Sequence, residues 1–168
     1  ITPCPRTPSG PVVCVNGPGS PAMLEPTRSN QGRIIHTAQA LVDLVIPVPE
    51  LPAHEGNVMA GDMEYHAAGA VNVLLAASRQ GATCVHTGAI GTGPHADRLR
   101  AELERAQITI TGDPVLDQDS GVCVVLLEPT GQRTFVTTLG AERQLTPEPL
   151  DSCSPTAGDV VCISGYSL

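Results

Sequence analysis

Two polar side chains stand inside runs that should otherwise be buried. Asp43 interrupts Leu41-Val42-Asp43-Leu44-Val45-Ile46-Pro47-Val48, and a carboxylate among Leu and Val is costly unless something pairs with it. At a strand end such an aspartate can accept two ligand hydroxyls; the alternative is that it faces solvent on an edge strand or caps a turn. Asn72 ends the stretch His66-Ala67-Ala68-Gly69-Ala70-Val71-Asn72, where small residues leave the backbone nearly bare as a helical pattern begins. A helix start offers free N–H groups and the positive end of the dipole, which suit a hydroxyl-rich or anionic ligand. The plainer alternative is that Gly69 permits a tight turn and the alanines pack under a sheet. His36 reads as packing or surface rather than chemistry.

Other chemistries are excluded by what is missing. His54, His66, His86 and His95 are scattered without metal-ligand spacing, and no H-E-x-x-H occurs. Neither a G-x-S-x-G elbow nor a triad emerges, although Ser120 and Ser164 each flank a glycine. All nine basic residues are arginine, which removes a Walker lysine, a Schiff base and a lysine general base from this segment. A net charge of -8 without a basic stripe argues against a nucleic-acid partner. The six cysteines form no Cys-x-x-Cys pair and fit a reducing, cytoplasmic setting. No apolar run approaches the roughly 18 residues of a membrane span, and no signal-peptide pattern opens the chain.

The elements that position these residues alternate between strand and helix. Residues 1–32, rich in Pro, Gly and Ser, read as an extended arm or leader. Ile34 and Ile35 begin a strand, and residues 41–48 form a second. Asn57 to Tyr65 predicts a short strand after a proline-rich connection. Ala68 to Gln80 predicts a helix ended by Gly81, followed by a buried strand over Thr83–His86. A glycine-rich turn from Gly88 to Gly93 has the spacing G-x-x-G-x-G, which does not match a dinucleotide fingerprint. Pro94 suits the first turn of a helix over His95–Ala106, with Leu99 and Leu103 on one face. Val122 to Leu127 and Gln132 to Thr137 predict a hairpin across Glu128-Pro129-Thr130-Gly131. Thr146 and Pro147 suit a further helix start, and Val160 to Ser164 predicts a central parallel strand. With no crossover helix after Ile163, the segment is expected to be an incomplete folding unit. Strand-end turns around Asp43, Gly69–Asn72 and Gly88–Gly93 would line a crevice at the carboxyl ends of the strands, suited to a polyol or sugar.

These residues carry a resemblance. The Ala68-Gly69-Ala70-Val71-Asn72 motif, Gly81, the Gly88–Gly91 turn, Asp43 after the first strand, the Gly121–Thr137 hairpin and Gly158-Asp159-Val160 stand in order. Arg33 to Leu168 thereby resembles the N-terminal half of the ribokinase-like, or PfkB family, carbohydrate kinases. The resemblance implies an α/β, three-layer fold with a mostly parallel central sheet and a small β lid, the lid drawn from segments near 44–65 and 121–137. It implies phosphorylation of a sugar or nucleoside with ATP and Mg2+ in the full-length parent, and homodimer formation through the lid. Asp43, Ala68, Gly69 and Asn72, with Gly165 and Tyr166, would be the substrate-binding residues. The general base would lie beyond Leu168, so the isolated chain would be inactive. The sequence also departs from the family. Ala67 and Ala68 stand where two glycines are usual, Gly69 replaces the lysine of ribokinases, and Leu41 replaces their asparagine two residues before the aspartate.

Overall fold

The computed structural model describes residues 32–164. The N-terminal arm up to Gln31, and Gly165 and Tyr166 near the other end, lie outside the described residues.

Two four-stranded sheets organise the chain. The first runs β5 (Thr109–Ile110), β4 (Cys84–His86), β1 (Ile34–His36), β8 (Val160–Cys162), with every neighbouring pair parallel. The second runs β3 (Glu64–Gly69), β2 (Ala40–Pro47), β6 (Val122–Leu127), β7 (Arg133–Thr138). Here β2 pairs parallel with β6, while β3 and β7 pair antiparallel on the two flanks. Parallel neighbours need crossovers, and helices α1 (Ala70–Arg79) and α2 (Pro94–Arg105) supply them.

The core joins one face of each helix to strands of both sheets. Val71 and Leu74 of α1 and Ala96, Leu99 and Leu103 of α2 recur at helical spacing and are buried with Ala40, Val42, Cys84, Ile90 and Ile108. Full burial of one Leu contributes about 2 kcal/mol, so this cluster is a principal source of stability. On the opposite face of α2, Asp97, Arg98 and Glu104 are exposed, while Arg100 and Glu102 are half-buried and Arg100 donates to the Ile90 and Gly91 carbonyls.

Carboxylates fasten the loops. Arg33 meets Asp159 at 2.7 Å, tying the start of β1 to the start of β8. Asp159 also accepts from the Arg33 and Thr156 backbone N–H groups, and these bonds, led by the Arg33 side chain, hold its carboxyl far below the usual range. Asp119 accepts from the N–H groups of His95, Ala96 and Ser120, so it caps the first turn of α2 from a distant loop. Burial works against this charge, but the three donors prevail and lower the Asp119 pKa. Glu142, fully buried in the 3-10 turn Ala141–Arg143, accepts from the N–H groups of Gly121 and Gly140 at 2.9 Å each.

The expected elements appear with three corrections. Residues 57–63 form no strand; β3 begins at Glu64 and continues through the small residues to Gly69, delaying α1 to Ala70. Strand pairing of Ala67, Ala68 and Gly69 with Val42, Leu41 and Ala40 overrides the helical pattern there. The last strand is an edge among the described residues, and Val160 and Val161 are exposed rather than buried. Finally, Asp43 lies within β2, not at its end. The hairpin matches its expectation closely: Val124 faces Val136, and Gly131 takes a positive φ of 84° at the turn. Gly81, with φ 86°, ends α1 as expected.

Candidate functional site

Alternation along β2 builds the site. Val42 is in the core, and the next side chain, Asp43, points to the opposite face, where it lines a cavity of about 780 Å³. Asp43 sits in register between His66 of β3 and Cys123 of β6. Burial pushes its carboxyl above the ordinary value, and the charges of His66 and Arg133 pull it partly back. Half-buried, this carboxylate presents acceptor lone pairs to the cavity.

The facing wall comes from the β3–α1 junction. Gly69 has φ 65°, and a side chain there would run into the Gln39 carbonyl, which accepts from the Ala70 N–H at 2.9 Å. Gly69 and Ala70 line the cavity together with Val73, three residues on along the same helix face. The hairpin closes a further side with Cys123, Phe135, Thr137 and Leu139. His36, Gln39, Leu41 and Ser164 complete the lining.

Asp43 and Gly69 are thus brought together, while other expected site residues are not. Ala68 is 3% exposed, paired with Leu41, and does not line the cavity. Asn72 is exposed in a separate groove with Tyr65, His66 and Arg98, because it lies about 200° around α1 from Ala70. In that groove the Arg98 guanidinium is 4.9 Å from the Tyr65 ring centre. The Gly88–Gly93 turn does not join the cavity either. Its Gly91 N–H donates to Ser120 Oγ, and the following helix start is occupied by Asp119.

His36, Phe135 and Thr137 are lining residues that sequence reasoning missed. The position of His36 at the carboxyl end of a parallel strand was the available signal, since ligands gather at such ends. The exposed Phe135 and Val136 of the hairpin could have been suspected only once β7 was known to be an uncovered edge.

Among the described residues that line the cavity, Asp43 is the one carboxylate and none is an arginine. Among the described residues, no group of three or more His, Cys, Asp or Glu side chains is placed to hold a metal ion. No helix among them is long and apolar enough to cross a membrane.

Relatives place this geometry in a wider setting. The chain is 25% identical over 146 residues to an uncharacterized sugar kinase, YegV, of Escherichia coli strain K12, covering 86% of this chain and 45% of the relative. The adenosine kinase of Sinorhizobium meliloti superposes with a TM-score of 0.68 at 16% identity, covering 81% of this chain and 48% of that one. The ribokinase of Cryptococcus neoformans var. grubii serotype A, solved in complex with ADP, gives a TM-score of 0.64 at 19% identity, over 82% and 42% of the respective chains. At these identities the two structures show a common fold, the ribokinase-like α/β architecture, and the chain spans about half the length of the proteins it matches. Residues 33–168 match the model of the pfkB family of carbohydrate kinases, and the chain belongs to that family.

Proposed function

We propose that the chain forms the sugar-side part of an ATP-dependent kinase that phosphorylates a hydroxyl of a sugar or nucleoside. The observation that carries this reading is the cavity in which the Asp43 carboxylate and the exposed Gly69 backbone face a common space. Asp43 accepts hydrogen bonds from substrate hydroxyls, and the exposed backbone at Gly69, where a Cβ would meet the Gln39 carbonyl, borders the same space at the opening of α1. Ala68 acts indirectly, holding Gly69 in register against β2. Asn72, Gly165 and Tyr166 remain candidates for contacts made in the complete protein.

The phosphoryl-transfer half of the reaction falls to residues beyond Leu168. There a general base takes the proton of the attacking hydroxyl, a new bond forms to the γ-phosphorus of ATP, and the bond to ADP breaks. Mg2+ and the nucleotide bind with that half, and the ADP in the Cryptococcus ribokinase supports the same cosubstrate here. The 168-residue chain alone is inactive on this reading. The mixed sheet serves as a lid that excludes water on closure and suppresses wasteful ATP hydrolysis. Its exposed outer strand, with Phe135 and Val136, is the surface for a homodimer, and the protein is cytoplasmic.

An ADP-release screen of the full-length protein against sugars and nucleosides tests the reading. Turnover with at least one is expected. Silence with all of them, with sugar binding retained, would leave a non-catalytic sugar-binding module. In an active protein, Asp43→Ala is expected to raise the apparent KM at least tenfold, as loss of a charged hydrogen-bonding partner costs about 1.5–3 kcal/mol. An unchanged KM would make Asp43 a structural carboxylate only.

A further inference from the structure

We propose that His36 is a specificity-determining residue of the Asp43 cavity, donating its Nε2–H to a substrate oxygen. This rests on the sugar-side reading above and adds to it a donor facing the acceptor. The tautomer follows from the backbone. The Ala38 N–H can only donate, and it lies 3.2 Å from His36 Nδ1, so Nδ1 is the acceptor and the proton of the neutral ring resides on Nε2.

The ring is kept neutral by its setting. His36 is 5% exposed, burial lowers its pKa, and its register partner on β4 is the fully buried His86. The two imidazoles differ in what remains open to them. Both His86 nitrogens are fully buried without a partner, as is Thr87 Oγ1, whereas His36, its Nδ1 engaged by the Ala38 N–H, borders the cavity.

Of the other lining side chains, Thr137 Oγ1 lies 3.2 Å from Cys123 Sγ, Gln39 and Ser164 carry further polar groups, and Leu41, Val73 and Phe135 present hydrocarbon. Asp43 as acceptor and His36 as donor select a ligand that offers a hydroxyl to one and an oxygen lone pair to the other. A polyhydroxylated ring provides both. A ligand lacking that oxygen would leave the imidazole N–H desolvated and unpaired, which is a strong basis for rejection.

The test begins with ATP-dependent turnover by the full-length wild-type protein on D-ribose, D-fructose and adenosine. The accepted substrate is then compared with its single-deoxy analogues in the wild type, His36→Phe and His36→Gln. In the wild type, one deoxy analogue is expected to lose about tenfold in kcat/KM through the missing bond to His36. That penalty should disappear in His36→Phe and persist in His36→Gln, whose amide supplies a donor near the Nε2 position. A merely structural role would lower activity on all analogues alike, so equal deoxy penalties in wild type and His36→Phe would overturn the proposal while leaving the kinase reading intact. If none of the three is accepted, a substrate found in the wider sugar and nucleoside screen takes their place, and silence across that whole screen would overturn both. If melting shows His36→Phe to be unfolded, His36→Leu is read in its place by the same criterion.

Discussion

In the parallel sheet, Val85 is 3% exposed and Ile35 not at all, whereas on the outer strand of the mixed sheet Phe135 is 58% and Val136 59% exposed. Both regions carry β-branched residues, Ile34 and Ile35 in one and Thr134, Val136, Thr137 and Thr138 in the other, so strand propensity alone does not separate them. What separates them is cover: α1 and α2 bury β1, β4 and β2, and no described element lies over β7. The first region is a rigid platform and the second an extension from it, joined through β2. That strand presents Val42 to the core and Asp43 to the cavity, so this wall of the cavity is the reverse side of the buried core.

The contrast is broken most directly by truncation. Leu99→Ala in α2 is expected to cost about 2–5 kcal/mol in urea unfolding, while Phe135→Ala should cost under about 0.5 kcal/mol at protein concentrations low enough to keep the chain monomeric. Equal costs would show that the outer strand is covered in solution, as a lid-mediated dimer would cover it.

A pH titration sharpens the same contrast. Burial, with the neighbouring His36, lowers the His86 pKa to about 4 from an ordinary 6.5. Between those values the unfolded chain binds a proton that the folded chain does not, so stability falls as pH drops from about 6.5 to about 4 and then levels off for this group. The loss is on the order of 3 kcal/mol. His86→Phe should flatten that part of the profile. Unchanged curvature would mean that the platform admits the charge.

At the junction, Glu142→Gln replaces one carboxylate oxygen with an amide that faces a backbone N–H of Gly121 or Gly140. A loss of about 2 kcal/mol is expected by chemical denaturation. Hydrogen exchange should rise in β6 and β7 more than in β4. The smallest effect is expected at the cavity: Asp43→Asn should change stability by less than about 0.5 kcal/mol, since no protein group hydrogen-bonds its carboxylate among the described residues. A larger loss would assign Asp43 to the architecture.

Local signals made much of the fold legible. The 3.6-residue spacing of Val71, Leu74, Leu99 and Leu103, the glycine ending α1 and the turn of the β6–β7 hairpin all depend on residues close in sequence. The β3–α1 boundary was less legible, because Ala67 to Gly69 suit either state and pairing with β2 decides between them. Asp43 was legible as an anomalous charge in an apolar strand, and Gly69 as a position where backbone must lie bare. His36 was not, because a histidine at the end of a three-residue strand has no meaning until a cavity opens beside it.

By itself the sequence determined the alternation of strands and helices, the apolar helix faces, the polar interruption at Asp43 and a family pattern spread over residues 33–168. Only the tertiary structure decided which polar groups share a space. Helix periodicity turned Asn72 into another groove, Asp119 closed the start of α2, and strand register brought Asp43, Gly69 and His36 to one cavity. The physical reason is that periodicity and turn chemistry act over a few residues, whereas a cavity is made by strands and helices whose meeting is set by long-range pairing and burial.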